Sequence, residues 1–270
     1  GLLAETRLIV CFGGMPLKNA QVDAGGNGTH RMADFLEQAT ARGIRFVNIS
    51  PVREDLEGAS NSEWIPIRPN TDTALILAMA YVLIETGKAD LNFLDRYCVG
   101  YERFRAHVMG EDDGLAKTPG WASTITGVPE QKIRVLANEL ASVRSFLNMA
   151  WGLQRADHGE QPYWAMISLA ATLGQIGKTG GGFAFGMGSV GGMGAPREKV
   201  PSPTMPAGMN RADSWIPVAR IADLLLNPGE QYEFNGETRT YPDTRLVYWC
   251  GGNPFHHHQD LNRFVDAWRR

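Results

Sequence analysis

The chain has 270 residues, of which 43% are hydrophobic and 20% are charged, and its formal net charge is -3. This composition is that of a globular protein with one or two domains, and it excludes a disordered or fibrous chain. The small negative charge provides no basic surface, so we expect no nucleic-acid partner. The longest apolar stretch, ALILAMAYVLI, is far shorter than the roughly 20 residues that cross a bilayer, which predicts no membrane span.

The first two thirds of the chain alternate between strand and helix patterns. TRLIVCFGG predicts a strand that ends in glycines, GTHRMADFLEQATARG a helix, and IRFVNIS a second strand. Such a unit requires parallel pairing with a right-handed crossover. Further helices are predicted in NTDTALILAMAYVLIETG, at 91–97, at 101–108, in VPEQKIRVLANELAS and in QPYWAMISLAATLG, and a strand in SFLNMAWG. The pattern predicts an α/β fold, a three-layer Rossmann-like domain with a mostly parallel sheet.

The last third has a different composition. Residues 174–214 are rich in glycine and proline and lack apolar periodicity, which predicts a long loop or linker. IPVARIADLLL then predicts a helix, TRLVYWCGG a strand and DLNRFVDAWRR a final helix. We therefore predict an α/β domain at 1–195, a linker with a connecting helix at 196–243, and the first strand and helix of a second α/β unit at 244–270. Because the chain starts at Gly1, we expect it to be an internal part of a longer protein.

Three consecutive histidines, His256, His257 and His258, follow the segment GGNP. Adjacent side chains point in different directions, so three neighbours do not easily close on one ion, and only Asp260 is a nearby carboxylate. We therefore predict no metal site here. Two interpretations stay open: the histidines fill or cap a turn and face solvent, or they meet an anionic or heteroaromatic ligand that the preceding glycines allow to approach closely.

A second concentration of polar residues lies in MAWGLQRADHGEQ. Here a predicted strand ends at Trp151 and Gly152, and Gln154, Arg155 and His158 follow in a loop. A core tryptophan beside a scattered polar loop is one interpretation. The other is a binding site for a polar heterocycle or an oxyanion, which an aromatic ring, a guanidinium and amides past a strand end favour.

Five segments spread from residue 12 to residue 263 together resemble a known family: FGGMPLKNAQ, IRPNTDTAL, WGLQRADHGEQ, GKTGGGF and YWCGGNPFHHHQDLNR. They resemble the dimethyl sulfoxide reductase family of molybdopterin oxidoreductases, and within it the sulfoxide and N-oxide reductases. The resemblance implies an enzyme whose molybdenum is held by two molybdopterin guanine dinucleotides. Such an enzyme reduces an S-oxide or N-oxide by oxygen-atom transfer to molybdenum.

The resemblance also implies roles for residues that match the motifs. Gly13, Lys18 and Asn19 would contact the pterin or pyrophosphate, Ser50 and Pro51 would lie at the cofactor where the second strand ends, and Asn70 and Asp72 would recognise guanine or ribose. Facing the metal end of the cofactor and the substrate would be Trp151, Gly152, Gln154, Arg155 and His158, with Trp151 and Arg155 as the catalytic residues. The second dinucleotide would be lined by Gly252, Asn253, His256, His257, His258 and Asp260.

In this subgroup a serine upstream of the matched region is the protein ligand to molybdenum, and the 270 residues contain no counterpart. We therefore expect the chain alone to lack cofactor and activity, and to need the remaining domains of the parent protein as partners. We expect a cytoplasmic location, with the periplasm as the alternative. A second hypothesis is a nucleotide-binding α/β scaffold without redox chemistry.

Overall fold

The computed structural model describes residues 1–21, 30–59, 61–189, 203, 205–206, 208–209 and 215–270. The chain divides into two units, Gly1–Glu198 and Lys199–Arg270. The predicted boundary between residues 195 and 196 lies outside the described residues, so the division at 1–195, 196–243 and 244–270 stays a prediction. Across the described ranges, no helix combines the length and apolar character that a membrane span requires.

A five-stranded sheet forms the centre of the first unit. Its strands are β1 (Leu8–Phe12), β2 (Arg45–Ile49), β3 (Ser62–Ile65), β4 (Ser145–Met149) and β5 (Gly182–Phe185). They are all parallel and lie in the order β3-β2-β1-β4-β5. The predicted α/β fold with a mostly parallel sheet is confirmed. Because the strand order reverses between β1 and β4, a crevice opens at their carboxyl ends, where ligands of such sheets bind.

Helices cover both faces of this sheet. Those of the first unit are α1 (Leu2–Glu5), α2 (Arg31–Ala41), α3 (Asp72–Glu85), α4 (Leu91–Tyr97), α5 (Tyr101–Met109), α6 (Pro119–Thr126), α7 (Glu130–Ser142) and α8 (Gln161–Thr172). Leu8, Val10 and Phe12 of β1 pack into one core with α3, α6, α7 and α8. Ile9 and Cys11 point the other way, against α2. Alternation along a single strand thus builds the three predicted layers.

Helix α3 is apolar on nearly all sides because it lies at the centre of one layer. It packs against α6, α7 and α8, and nine of its residues are buried. This explains why ALILAMAYVLI has no polar face in the sequence. Burial of each large aliphatic side chain contributes about 1.5–3 kcal/mol relative to exposure, so this helix is a main source of the unit's stability.

A cluster of charges ties helix α7 to one edge of the sheet. Arg45 of β2 forms ion pairs with Glu63 of β3 and with Glu139 of α7, and Lys132 of α7 also pairs with Glu63. Partial burial alone would raise the pKa of Glu63, but hydrogen bonds and charge interactions with Lys132 and Arg45 outweigh it and lower that pKa. The cluster therefore stabilises the ionised carboxylate.

Two element predictions were wrong. Strand β5, Gly182–Phe185, lies inside the stretch predicted as a loop or linker. Its four residues between glycines form too short an apolar run to stand out, and pairing with β4 makes them a strand. Residues 244–250 were predicted as a strand, but the described residues include no strand that pairs with them, so they remain irregular.

The second unit contains a hairpin and three short helices among its described residues. These are α9 (Ile221–Leu226), β6 (Gln231–Phe234), β7 (Glu237–Thr240), α10 (Pro254–His257) and α11 (Leu261–Trp268). Strands β6 and β7 are antiparallel, and Asn235 and Gly236 between them both have positive φ, 52° and 78°. Asn-Gly is the preferred pair for such a two-residue hairpin turn. The hairpin was not predicted, although this dipeptide is a signal for it.

Candidate functional site

Two buried asparagines organise the loops at the carboxyl ends of the strands. Asn148 of β4 donates through Nδ2 to the carbonyls of Gly14 and Met187, both at 3.2 Å, and its Oδ1 accepts from the Met187 N–H at 3.2 Å. Asn48 of β2 donates to the carbonyl of Arg53 at 3.1 Å. Both asparagines pair in register with Cys11 of β1. The side-chain amides of these two asparagines, which lie in the sheet, therefore hold the backbone of the loops after β1, β2 and β5 by hydrogen bonds.

The turn after β1 depends on two glycines in the left-handed region. Gly14 has φ +73°, and a Cβ there would lie 2.2 Å from the carbonyl oxygen of Asp55. Gly13 has φ +75°, and a Cβ there would lie 2.6 Å from Leu153 Cδ1. Neither position accepts a side chain. Close packing of the β1, β2 and β4 loops thus requires glycine at both places.

A cavity of about 250 Å³ lies in the crevice where the strand order reverses. Its walls come from the ends of β1, β2 and β4 and from the start of α3. It is lined by Gly13, Ile49, Pro51, Pro69, Asn70, Asp72, Thr73, Gly152, Leu153, Ala156 and Pro162. Five of the predicted site residues, Gly13, Pro51, Asn70, Asp72 and Gly152, are therefore brought together around one cavity although they span 140 positions of sequence.

Asp72 is the ionisable group of this first cavity. It is the first residue of α3, only 7% exposed, and no described side chain hydrogen-bonds its carboxylate. Burial raises the pKa of Asp72 from 3.8 to about 6, against a smaller lowering by a backbone hydrogen bond. Asn70, just before it, has φ +64° and is exposed. A buried carboxylate beside a cavity, without a side-chain partner among the described residues, suits a ligand that brings hydrogen-bond donors.

Ser50, Lys18 and Asn19 lie around this cavity without lining it. Ser50 is buried beneath its loop, where its hydroxyl donates to Asp55 Oδ2 at 2.7 Å and accepts from the Val52 N–H at 3.1 Å. The Lys18 ammonium lies 3.7 Å from Asp55 Oδ1, and its side chain is 70% exposed. Asn19 begins an exposed turn. Asp55 therefore links the loops after β1 and β2, a role that was not predicted.

A short 3-10 turn, Trp151–Gln154, follows β4 and separates the first cavity from a second. Gly152 and Leu153 line the first cavity, while Trp151 and Gln154 line the second. The second cavity has a volume of about 660 Å³, and its other lining residues are Gly159, Glu160, Tyr163, Trp164 and Phe185. The predicted loop thus provides a wall to both cavities.

Arg155 and His158 extend from this turn into solvent. The Arg155 guanidinium is exposed and forms no hydrogen bond or ion pair with any described residue, and Asp157 does not pair with it. His158 has φ +52°, and its imidazole lies 3.8 Å from the Glu160 carboxylate. The guanidinium is therefore available to a ligand, and the structure offers no described carboxylate that would give Arg155 a structural role.

The predicted residues of the second unit lie in and around helix α10 and at the start of α11. Gly252 has φ +78°, the Asn253 side chain accepts from the Phe255 N–H at 3.1 Å, and the Asp260 side chain accepts from the Arg263 N–H at 3.2 Å. His256 is exposed, while His258 is buried and lies edge-on to Phe264 at 4.3 Å. The side chain of His257 lies outside the described part. Asn253 and Asp260 thus cap α10 and α11.

One group of three potential metal ligands occurs among the described side chains, and it is far in sequence from the histidine run. It consists of His107 in the last turn of helix α5 and Asp112 and Asp113 just after that helix, all partly or fully exposed. The Lys117 ammonium is already bound to Asp113 at 2.5 Å. That ion pair neutralises a carboxylate that a cation would need. The expectation that the histidine run holds no metal stays a prediction.

The chain was also compared with known families and proteins. The model of the molybdopterin oxidoreductase family matches residues 2–270, which is nearly the whole chain. The chain belongs to the molybdopterin oxidoreductase family. The family predicted from the five sequence segments is confirmed. Membership of the molybdopterin oxidoreductase family implies a molybdenum and molybdopterin cofactor.

Within the molybdopterin oxidoreductases, the similar curated proteins are sulfoxide and N-oxide reductases. The chain is 51% identical to the biotin sulfoxide reductase of Cereibacter sphaeroides, over 98% of this chain and 36% of the relative. It is 39% identical to the trimethylamine-N-oxide reductase of Haemophilus influenzae, over 100% of this chain and 34% of the relative. The chain spans about a third of the length of these relatives.

A solved structure shares the fold. The acetylene hydratase from Pelobacter acetylenicus superposes with a TM-score of 0.50 at 24% identity, over 64% of this chain and 22% of the other. At this identity the similarity concerns the fold alone. It agrees with the predicted α/β fold.

Proposed function

We propose that the chain is a cofactor-binding part of a molybdenum enzyme that reduces S-oxides or N-oxides by oxygen-atom transfer. The substrates would be of the biotin sulfoxide, methionine sulfoxide, dimethyl sulfoxide or trimethylamine N-oxide type. The observation that carries this proposal is the 51% identity to a biotin sulfoxide reductase over 98% of the chain. Because the chain spans about a third of that relative, the activity belongs to a longer protein that includes the remaining domains.

The cofactor we propose is a pair of molybdopterin guanine dinucleotides that hold molybdenum. The first cavity supports this proposal, because Gly13 allows close approach of a ligand to backbone and Asp72 presents a buried acceptor. Guanine carries N–H donors on its Watson–Crick edge, which a carboxylate accepts, and Asn70 is close by for base or ribose. Lys18 and Asn19, on the exposed turn after β1, would meet pyrophosphate, where a cation offsets phosphate charge.

Ser50 and Pro51 would act on the same dinucleotide in different ways. Pro51 lines the first cavity, whereas Ser50 holds the loop through Asp55. In the second unit we propose that Gly252, Asn253, His256, His257, His258 and Asp260 bind the other dinucleotide. The capped helix ends at Asn253 and Asp260 and the exposed imidazole of His256 support this assignment.

The 3-10 turn after β4 would serve the metal end of the cofactor. When bound, the molybdenum centre would supply an acceptor for the oxygen atom of the substrate and the redox chemistry of its reduction. Trp151 and Gln154 provide an aromatic ring and an amide on the wall of the second cavity, with Gly152 on the first and His158 exposed in the loop that follows. Arg155, charged and without a partner among the described residues, would donate to the substrate oxygen as negative charge builds there.

The test is substitution of Arg155 by lysine in the full-length protein, which keeps the charge and removes the planar fork. We expect kcat/KM for an S-oxide to fall about 10-fold to 1000-fold, which corresponds to roughly 1.4–4 kcal/mol of transition-state stabilisation, with molybdenum content unchanged. Arg103→Lys is the matched control, because Arg103 is an exposed arginine on α5 that lines neither of these two cavities and pairs with no described residue. If Arg155→Lys has normal turnover at normal molybdenum content, Arg155 does not contact the substrate as proposed. Full-length protein without molybdenum would instead favour the nucleotide-binding scaffold.

A further inference from the structure

The hydroxyl of Tyr163 is hydrogen-bonded at the start of the 3-10 turn that follows β4. Tyr163 lies on α8, and its Oη donates to the Ala150 carbonyl, immediately before the turn, at 2.8 Å. The backbone of Gln154, the last residue of the turn, acts to lower the pKa of the same hydroxyl, so it lies beside it. One hydroxyl is thus bonded to the start of the turn and lies next to its end.

The Tyr163 ring is itself held in place. It is half-buried, packs against the larger core of the first unit, and lies edge-on to Phe185 of β5 at a centroid distance of 5.1 Å. Burial raises the pKa of the Tyr163 hydroxyl, so the group keeps its proton and remains a donor. Helix α8 therefore holds this hydroxyl in a fixed position beside the turn. Connecting turns are in general more mobile than the helices and strands that they join.

The same turn has other ties. The Trp151 N–H donates to Ser189 Oγ at 3.1 Å, and Gly186 leaves room for the Trp151 indole, because a Cβ there would lie 2.2 Å from Nε1. Leu153, in the middle of the turn, packs against the larger core. The Tyr163 hydroxyl therefore adds a hydrogen bond at the start of a turn whose middle is held by apolar packing.

We propose that Tyr163 is a positioning residue, whose hydroxyl fixes the turn Trp151–Gln154 so that Trp151 and Arg155 are presented together at the carboxyl edge of the sheet. This inference rests on the proposed function for its effect on turnover. The hydrogen bond from Tyr163 to Ala150 does not depend on that function. A tyrosine that only filled space between α8 and β5 would not need its hydroxyl, and phenylalanine would serve equally well.

The first measurement is hydrogen exchange in full-length Tyr163→Phe, which keeps the ring and its contact with Phe185. We expect the Gln154 amide to exchange about 10-fold faster, because the hydroxyl beside it is removed and the start of the turn loses its bond to Ala150, while the melting temperature changes little. Tyr101→Phe is the control, since no described residue hydrogen-bonds the Tyr101 hydroxyl. Unchanged exchange at Gln154 would overturn the proposal whatever the protein catalyses.

The second measurement is a double-mutant cycle on turnover. With molybdenum content unchanged, we expect Tyr163→Phe to lower kcat/KM about 10-fold, and to lower it much less when Arg155 is already lysine. Fully additive effects would show that Tyr163 does not act through Arg155 and would overturn the positioning role. If the wild-type protein shows no oxide reduction at all, the proposed function fails, and the exchange experiment still decides whether Tyr163 fixes the turn.

Discussion

Replacement of Asp72 by asparagine should stabilise the chain at neutral pH. The carboxylate is 7% exposed and has no side-chain partner among the described residues, so its ionised form is held in an unfavourable environment. Burial raises its pKa from 3.8 to about 6. A buried charge that weakens the fold yet faces a cavity is typical of a residue retained for a ligand.

The magnitude follows from the two pKa values. The difference between 3.8 and about 6 corresponds to about 3 kcal/mol at pH 7, at roughly 1.4 kcal/mol for each pKa unit. Near pH 4 the carboxyl is protonated in the folded chain and about half protonated in the unfolded chain, so only a small part of the penalty is present. Between pH 3.8 and about 6 the unfolded chain loses this proton while the folded chain keeps it, so the folded chain becomes less stable as pH rises. Above about pH 6 both forms are ionised, and the loss of stability has reached its full size.

Denaturant unfolding of the wild-type chain and Asp72→Asn at pH 4 and pH 7 measures this effect. We expect nearly equal stability at pH 4 and a gain of about 2–3 kcal/mol for the variant at pH 7, the lower figure allowing for loss of the favourable charge at a helix N-terminus. Asp34→Asn is the matched control, an exposed carboxylate in the first turn of α2, which should change stability by less than about 1 kcal/mol. A variant no more stable than wild type at pH 7, or a gap that is the same at both pH values, would refute the reasoning.

Three further predictions concern the frame of the site. Gly14→Ala should destabilise the chain by about 3 kcal/mol or more, because its Cβ meets backbone, whereas Gly43→Ala, with the same φ of +73° and open space, should lose about 1 kcal/mol, as thermal unfolding would show. Asn148→Ala should lose about 2–4 kcal/mol in urea unfolding, since it leaves buried backbone groups unpaired. Glu63→Gln should lose about 0.5–1 kcal/mol at pH 7 in low salt, and the difference should vanish as pH falls through the lowered pKa of Glu63, where wild type loses the same ion pairs.

Most of the first unit could be predicted because its elements carry local signals. The apolar strands β1, β2 and β4 end in glycine, serine or a small residue, and the helices between them show regular spacing or complete burial. The location of the cavity followed from the same pattern, since parallel strands place their carboxyl ends at one edge. The family resemblance, rather than this pattern, assigned Gly13 and Gly152 to the cofactor, and the structure brings both to one cavity.

The supporting residues could not be predicted in the same way, because their roles depend on contacts between distant segments. Asn48 and Asn148 each lie one residue before the end of an otherwise apolar strand, which is a usable signal, but their partners are loops that only the fold brings near. Tyr163 resembles any other residue of an amphipathic helix until its hydroxyl is seen on Ala150. Asp55 likewise shows no local pattern.

The second unit was less predictable because pairing decides its strands. Residues 244–250 have the composition of a strand, yet no described strand pairs with them, whereas the polar sequence QYEFNGETRT forms a hairpin around Asn235 and Gly236. The composition of a segment shows whether its side chains suit a β-strand. Whether the segment forms a strand also depends on a neighbouring strand with which its backbone can hydrogen-bond.

The central claim is that this chain binds molybdopterin guanine dinucleotide in a molybdenum enzyme. The most direct measurement is molybdenum content together with the nucleotide released by acid hydrolysis, on one preparation of the full-length protein. We predict molybdenum together with two molecules of GMP for each metal atom, and a marked loss of GMP in Asp72→Asn, where a donor amide replaces part of the acceptor. Absence of molybdenum, or release of a nucleotide other than GMP, would contradict the account.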